Sequence, residues 1–215
     1  DGHTARMIML VRNDSRYPIE SVSLQLPSTE AAKADAKTTL FPILNAGEQE
    51  RFLIRWTCLR PFESPQQVTL SLTANQEPIT LQLRLPLLVT SFCNPREAER
   101  SKFLEGWERV GNQALGKVAL PSAPSAQEIA SLAASAMGMH VVTGVDASSD
   151  NVCLAGQFNT AAPGDGANVT TAALARIETR PGASIIRVTV HAAHQAVSNA
   201  LLKAVALLLK GKVQE

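Results

Sequence analysis

Apolar and polar positions alternate from Arg6 to about Leu87, and after Pro95 the period changes. The runs ARMIMLVRND, SVSLQLP, ERFLIRWTC, QQVTLSLTA and ITLQLRLP carry leucine or β-branched residues at roughly every second position, separated by Asn, Pro, Gly and Ser clusters. Alternation punctuated in this way predicts antiparallel strands folded as a sandwich. Five strands are few for a closed sandwich, so an earlier strand is expected outside the chain as given. In REAERSKFLEGWERVGNQ the pattern becomes helical, with Phe103, Leu104, Trp107 and Val110 at i, i+1, i+4 and i+7. A second helix is predicted from Ser125 to Ala136, with Ser125 as N-cap and Glu128 at capping-box spacing. Strands follow at MHVVTGV, VCLAGQF, TTAALARIE and SIIRVTVH, and a leucine-rich helix from His194 to Lys210 closes the chain. The expected fold is α+β in two subdomains: an immunoglobulin-like β-sandwich over residues 1–88, lacking its first strands, and a platform of antiparallel sheet flanked by helices over 89–215.

Composition narrows the function classes. Twenty basic against nineteen acidic residues leave a formal charge of +1 over 215 residues. That is too little for general attraction to nucleic acid or anionic lipid, so recognition has to be local. Cys58, Cys93 and Cys153 lie far apart with no CxxC pair, which argues against a disulfide framework and a zinc site and suggests a reducing compartment. No basic leader with an apolar stretch opens the sequence, so nothing points to secretion. The longest apolar run, Ala196 to Leu209, is broken by Ser198, Asn199 and Lys203 and falls short of the ~20 residues of a membrane span.

One stretch raises an electrostatic question. ARIETRPGASIIRVTV reads as a hairpin, and with Pro181 and Gly182 at its tip Arg176 faces Arg187 across the ladder. Two like charges about 6 Å apart at an effective dielectric of 20 repel by roughly 3 kcal/mol, less in full exposure. Glu178 shares their face and offsets part of this, leaving the trio net positive. The group reads either as a small site for a carboxylate or as a solvated face on which long side chains splay apart. Trp107 is equally two-sided: beside Phe103 it suits a core, and beside paired arginines it suits a binding anchor.

Catalytic motifs are absent from the sequence. There is no GxSxG elbow, no HExxH and no phosphate-cradling glycine loop. His191 and His194 lack a nearby acidic or cysteine partner and read as a solvated pair. The expectation is an interaction domain with no catalytic residue, metal or cofactor. A hydrolase or ligand-binding domain using His140, His191 or Cys153 is the alternative from another class.

Taken in order, these motifs are similar to those of the appendage, or ear, of alpha-adaptin, the large subunit of the plasma-membrane clathrin adaptor. The C-terminal half carries Phe92-Cys93-Asn94-Pro95, Phe103-Leu104-Glu105-Gly106-Trp107, the Asn151 to Gly156 segment, and Arg176, Glu178 and Arg187 in an Arg-x-Glu and Arg spacing. RMIMLVRND, EQERFLIRWTCLRPF and RLPLLV resemble the family's sandwich strands. The resemblance implies a cytoplasmic protein, peripheral at plasma-membrane clathrin-coated pits, that binds disordered endocytic accessory proteins through Asp-Pro-Phe/Trp or Phe-x-Asp-x-Phe motifs. The remaining adaptor subunits would be reached through an absent trunk, with no nucleic-acid partner and only indirect membrane contact. In that scheme Trp107 packs a peptide ring, with Phe103 and Leu104 beside it, Arg176 and Arg187 meet an aspartate or backbone carbonyls, and Glu178 orients an arginine. Leu104 replaces the second aromatic of the helix motif, and His191 replaces a basic residue. Leu10 and Gln49 fall at a second, sandwich site. Appendages of other coats, beta-adaptin or coatomer gamma, remain the alternative within the class.

Overall fold

The computed structural model describes residues 2–164, 166–180, 182–209 and 212–214, and the chain divides into two compact units. The first comprises His3–Arg60 and Pro65–Leu87. Its strands are β1 (Thr4–Arg12), β2 (Ile19–Gln25), β3 (Ala32–Ala36), β4 (Leu40–Leu44), β5 (Gln49–Cys58), β6 (Gln67–Ala74) and β7 (Glu77–Arg84). They form two antiparallel sheets ordered β1-β5-β3 and β4-β2-β6-β7. Alternation decides the core: Phe52, Ile54, Trp56 and Cys58 of β5 point inward and are buried, as are Val22 and Leu24 of β2 and Val68 and Leu70 of β6. β3 and β4 go beyond the strands expected from sequence. KADAK offers little apolar contrast, and Pro42 in β4 argues against a central strand. The β6–β7 hairpin closes through Asn75 and Gln76, both at positive φ, the geometry of a two-residue turn that matches strand twist.

The second unit comprises Gly2, Pro61–Ser64 and Leu88–Glu215. A short 3-10 helix (Val89–Phe92) leads through β8 (Cys93–Pro95), α1 (Arg100–Arg109), β9 (Asn112–Ala119), α2 (Ala126–Met137), β10 (His140–Val142), β11 (Val152–Ala161), β12 (Asn168–Glu178), β13 (Ile185–Ala192), α3 (Gln195–Leu208) and β14 (Lys212–Gln214). One antiparallel sheet runs β10-β11-β12-β13-β9-β14, with β8 also paired to β11. Val188, Val190 and Ala192 of β13 with Ala114 and Val118 of β9 form its inner face, against which α3 packs Val197, Leu201, Ala204 and Val205. The opposite face carries α1. The architecture is therefore α+β, an immunoglobulin-like sandwich joined in sequence to a helix-flanked antiparallel platform.

Helix α2 starts where its capping box predicts. The Ser125 hydroxyl accepts from the Glu128 backbone N–H while the Glu128 carboxylate accepts from the Ser125 N–H. It ends at Gly138, at φ 59°, where an added Cβ would lie 2.5 Å from the Cys93 carbonyl oxygen. The first platform helix is shorter than its periodicity predicts: it stops at Arg109, and Asn112 to Ala119 is the strand β9. Ala114 and Val118 alternate with Gln113, Leu115 and Lys117, a short period-two pattern that the helical period of the preceding segment overshadows.

Candidate functional site

The face under α1 is set by register. Cys153 of β11 pairs with Arg176 of β12, which pairs with Thr189 of β13, which pairs with Leu115 of β9. One row further on, Ala155, Leu174, His191 and Gln113 stand side by side, and on the other flank Glu178, Arg187 and Lys117 do so. Side chains of directly paired residues and of positions two apart share a face, so all of these project to the α1 side.

Helix α1 anchors through Phe103, which is 1% exposed in a cluster with Val142, Cys153, Ala155 and Leu174. Gly106 permits the close approach, since a Cβ there would sit 3.1 Å from Leu174 Cδ1. One turn on from Phe103, Trp107 is half-buried, its ring stacked on Phe103 at 5.5 Å and on His191 at 4.1 Å between centroids. The His191 Nδ1–H donates to the Val110 carbonyl at 3.2 Å, and its Nε2 is buried with no partner among the described residues. The expected solvated histidine pair is therefore corrected: His191 is the floor beneath the indole. Phe103 is corrected too, since it lies under Trp107 and only Leu104, 40% exposed, reaches the surface beside it.

The hairpin register also differs from the expectation. Arg176 does not face Arg187; Glu178 does, and Arg176 faces Thr189. The Ala183 N–H donates to the Arg180 carbonyl, while the Ser184 carbonyl accepts from the N–H of Leu120, just past β9, and the ladder is shifted by two residues. Pro181, placed at the tip from sequence, lies outside the described residues. The shift replaces a like-charge pair by an opposite-charge one.

A four-member chain of charges results. Arg176 forks onto Asp146, Nε donating to Oδ2 at 2.7 Å and Nη2 to Oδ1 at 3.0 Å. Its Nη1 lies 3.2 Å from Glu178 Oε1, and Glu178 Oε2 lies 3.4 Å from Arg187 Nε. Burial opposes the charged form of Asp146, but Arg176, with hydrogen bonds from Asn151 and Cys153, outweighs it and holds the carboxyl below the usual aspartate range. Hydrogen bonding to Asp146 correspondingly raises Arg176 further above neutrality. Two carboxylates balance two guanidiniums, so the expected net-positive trio is a neutral quartet. Asp146 is the residue that sequence reasoning missed; it sits in a loop thirty positions from Arg176, and no spacing links them.

Chemistry at Cys153 is disfavoured. Burial, then Asp146, pushes its thiol up to about 12. His140 and His191 occupy one row but are separated by β11 and β12, about 14 Å at strand spacing, so they do not meet over a nucleophile. Among the described residues no group of His, Cys, Asp or Glu is arranged to hold a metal ion.

In the first unit, Leu10 and Gln49 are diagonal neighbours on the outer face of the β1-β5-β3 sheet, Leu10 opposite Arg51 and Gln49 opposite Arg12. Leu10, Ile8 and Leu53 are all exposed there.

The family model described as "Alpha adaptin AP2, C-terminal domain" matches residues 91–209, which hold every residue of the α1-side site described above. The chain belongs to the alpha-adaptin C-terminal domain family. A relative, the AP-2 complex subunit alpha-2 of Dictyostelium discoideum, is 21% identical over 199 residues, which cover 91% of this chain and 20% of the relative. The chain thus spans about a fifth of the length of the curated relative it matches. Within this alpha-adaptin appendage the family-like motifs acquire physical roles. Phe92 is buried and meets Phe62 edge-on at 5.9 Å. Asn151 hydrogen-bonds Asp146, and Gly156 pairs with Pro95, where a Cβ would lie 3.1 Å from Met139 Cγ and 3.3 Å from the Asn94 carbonyl oxygen. Membership places the chain among adaptor-type protein-interaction domains.

Proposed function

We propose that the platform binds short linear motifs, combining an aromatic ring with an acidic residue, carried on disordered accessory proteins of clathrin-mediated endocytosis. The observation that carries this reading is Trp107: a large indole held rigid by stacking on His191 and Phe103, yet half-exposed on the face that bears Arg187. A preorganised aromatic sharing a sheet face with a guanidinium, Arg187 lying four positions along β13 from the His191 beneath Trp107, has the composition of an energetic hot spot. The peptide ring packs on Trp107 with Leu104 as an apolar wall. Arg187 meets the peptide carboxylate or a backbone carbonyl; Arg176, already forked onto Asp146, braces Glu178, which in turn orients Arg187.

Such a contact buries far less than the ~1,600 Å² of a standard interface, so single motifs bind at micromolar strength or weaker and multivalency raises the avidity. The exposed Leu10 with Gln49 supports a second, weaker peptide site on the sandwich. In the cell the domain would act at plasma-membrane coated pits as an appendage of the adaptor, joined to the other subunits through its trunk. Calorimetric titration with Asp-Pro-Phe and Phe-x-Asp-x-Phe peptides tests the platform reading. Trp107→Ala and Arg187→Ala are expected to lose binding at least tenfold; affinity equal to that of the unsubstituted domain would remove it.

A further inference from the structure

On the α1 side of the platform, the helix covers β11 and β12 and meets β13 at His191, through Trp107 and the C-capping Val110 carbonyl. Beyond that row, β13 and β9 are left without a helix on this face among the described residues. Three rows follow in register: Thr189 with Leu115, Arg187 with Lys117, and Ile185 with Ala119. Leu115, mid-strand in β9, is 52% exposed and Ile185, at the start of β13, 48%, large values for aliphatic side chains of a paired sheet. Between them Arg187 and Lys117 stand directly opposite each other, a like-charge pair that a sheet ordinarily avoids. Glu178 draws on Arg187 from the other side, but Lys117 is exposed and has no carboxylate partner among the described residues. The quartet around Arg176 is neutral, so among the described side chains of these rows the surplus positive charge lies at Lys117.

The rows repeat every two residues, about 6.8 Å, which is also the spacing of same-side residues in an extended peptide. We infer that the β13–β9 face continues the Trp107 site and reads an extended peptide with a ring over Trp107, an aliphatic side chain two positions away over Leu115, and an acidic side chain four positions away between Arg187 and Lys117. The inference rests on the proposed peptide site and assigns its acid-reading role chiefly to Lys117 and Arg187, away from Arg176. An anionic membrane fits less well, because the described rows show no cluster of the several basic residues such binding needs. A second copy fits less well too, because a two-fold contact centred on this face sets its cations against each other.

The probe is Glu-Ser-Leu-Ser-Phe-Ser-Leu-Ser-Glu, whose symmetry serves either chain direction, with a counterpart carrying Lys in place of both Glu. Binding of both, and of an Asp-Pro-Phe core peptide, is measured by fluorescence anisotropy on the 215-residue chain and on Lys117→Glu and Leu115→Ser. One charge at roughly 6 Å is worth about threefold at the dielectric of water and about a hundredfold at an effective dielectric of 20, so about tenfold is expected on this partly exposed face. The unsubstituted domain is therefore expected to prefer the Glu probe by at least that factor, less so in high salt, and Lys117→Glu to reverse the preference. Leu115→Ser weakens both probes several-fold. An unchanged preference in Lys117→Glu overturns the inference, as does no binding of the Glu probe, including the case where phosphatidylserine vesicles or self-association prove to depend on Lys117 instead. Core-peptide binding that requires Trp107 but ignores Lys117 overturns this inference and leaves the proposed function standing; Lys117-dependent binding of the Glu probe alone does the reverse to the core motif.

Discussion

Replacing Asp146 by Asn removes the charge that holds Arg176 without changing side-chain shape. The carboxylate and guanidinium centres lie about 4 Å apart, which at an effective dielectric of 20 corresponds to a gross attraction near 4 kcal/mol. Side-chain exposures of 34% for Arg176 and 21% for Asp146 place the pair between solvent-exposed ion pairs and fully buried ones. The net destabilisation is therefore expected at about 1–2 kcal/mol, or roughly 4–8 °C in melting temperature for a unit of this size. Urea unfolding followed by Trp107 fluorescence in a Trp56→Phe background isolates the platform, because Trp56 belongs to the other unit. A cycle with Arg176→Met should return a coupling of about 1 kcal/mol or more. Its pH dependence has a defined sign. The folded Asp146 carboxyl lies below its unfolded value, so the contribution is fully present above the ordinary aspartate range of about 4 and disappears as pH falls through the lower folded value. Coupling below about 0.3 kcal/mol at neutral pH would show that Asp146 does not hold Arg176.

Other substitutions separate supporting residues from surface ones. Phe103→Ala should destabilise the platform by about 3–5 kcal/mol, while Leu104→Ala should change stability by less than about 1 kcal/mol and weaken peptide binding, a contrast readable by chemical denaturation and titration. Gly138→Ala should cost about 2 kcal/mol or more, since positive φ is compounded by a Cβ driven onto the Cys93 carbonyl; a near-neutral melting temperature would show that α2 can end otherwise. The thiols of Cys58 and Cys153, both pushed up to about 12 chiefly by burial, should react with a disulfide reagent at pH 8 only at the rate of local or global unfolding. Rapid labelling in the native state would contradict that burial.

Much of the fold was legible because its signals are local. Strict alternation in RFLIRWTC announces β5, and Ser125 with Glu128 fixes the start of α2 within a residue. β3, β4 and β9 escaped because alanine, proline and mixed polarity blur the period in KADAK, LFPIL and NQALGKVA. In the candidate site, the Arg-x-Glu spacing and the helix tryptophan could be found in sequence, whereas the loop carboxylate that neutralises them could not.

By itself the sequence determined which residues alternate inward, where α2 is capped, and that Arg176 and Glu178 share a side of their strand, since side-chain direction follows from backbone period alone. Tertiary structure decided which charges meet. A two-residue shift of register across one connection swaps Arg187 for Thr189 opposite Arg176, and a loop folding back brings Asp146 to the same guanidinium. Coulomb energy depends on distance through space, and a linear pattern carries no such distances until the chain has closed on itself.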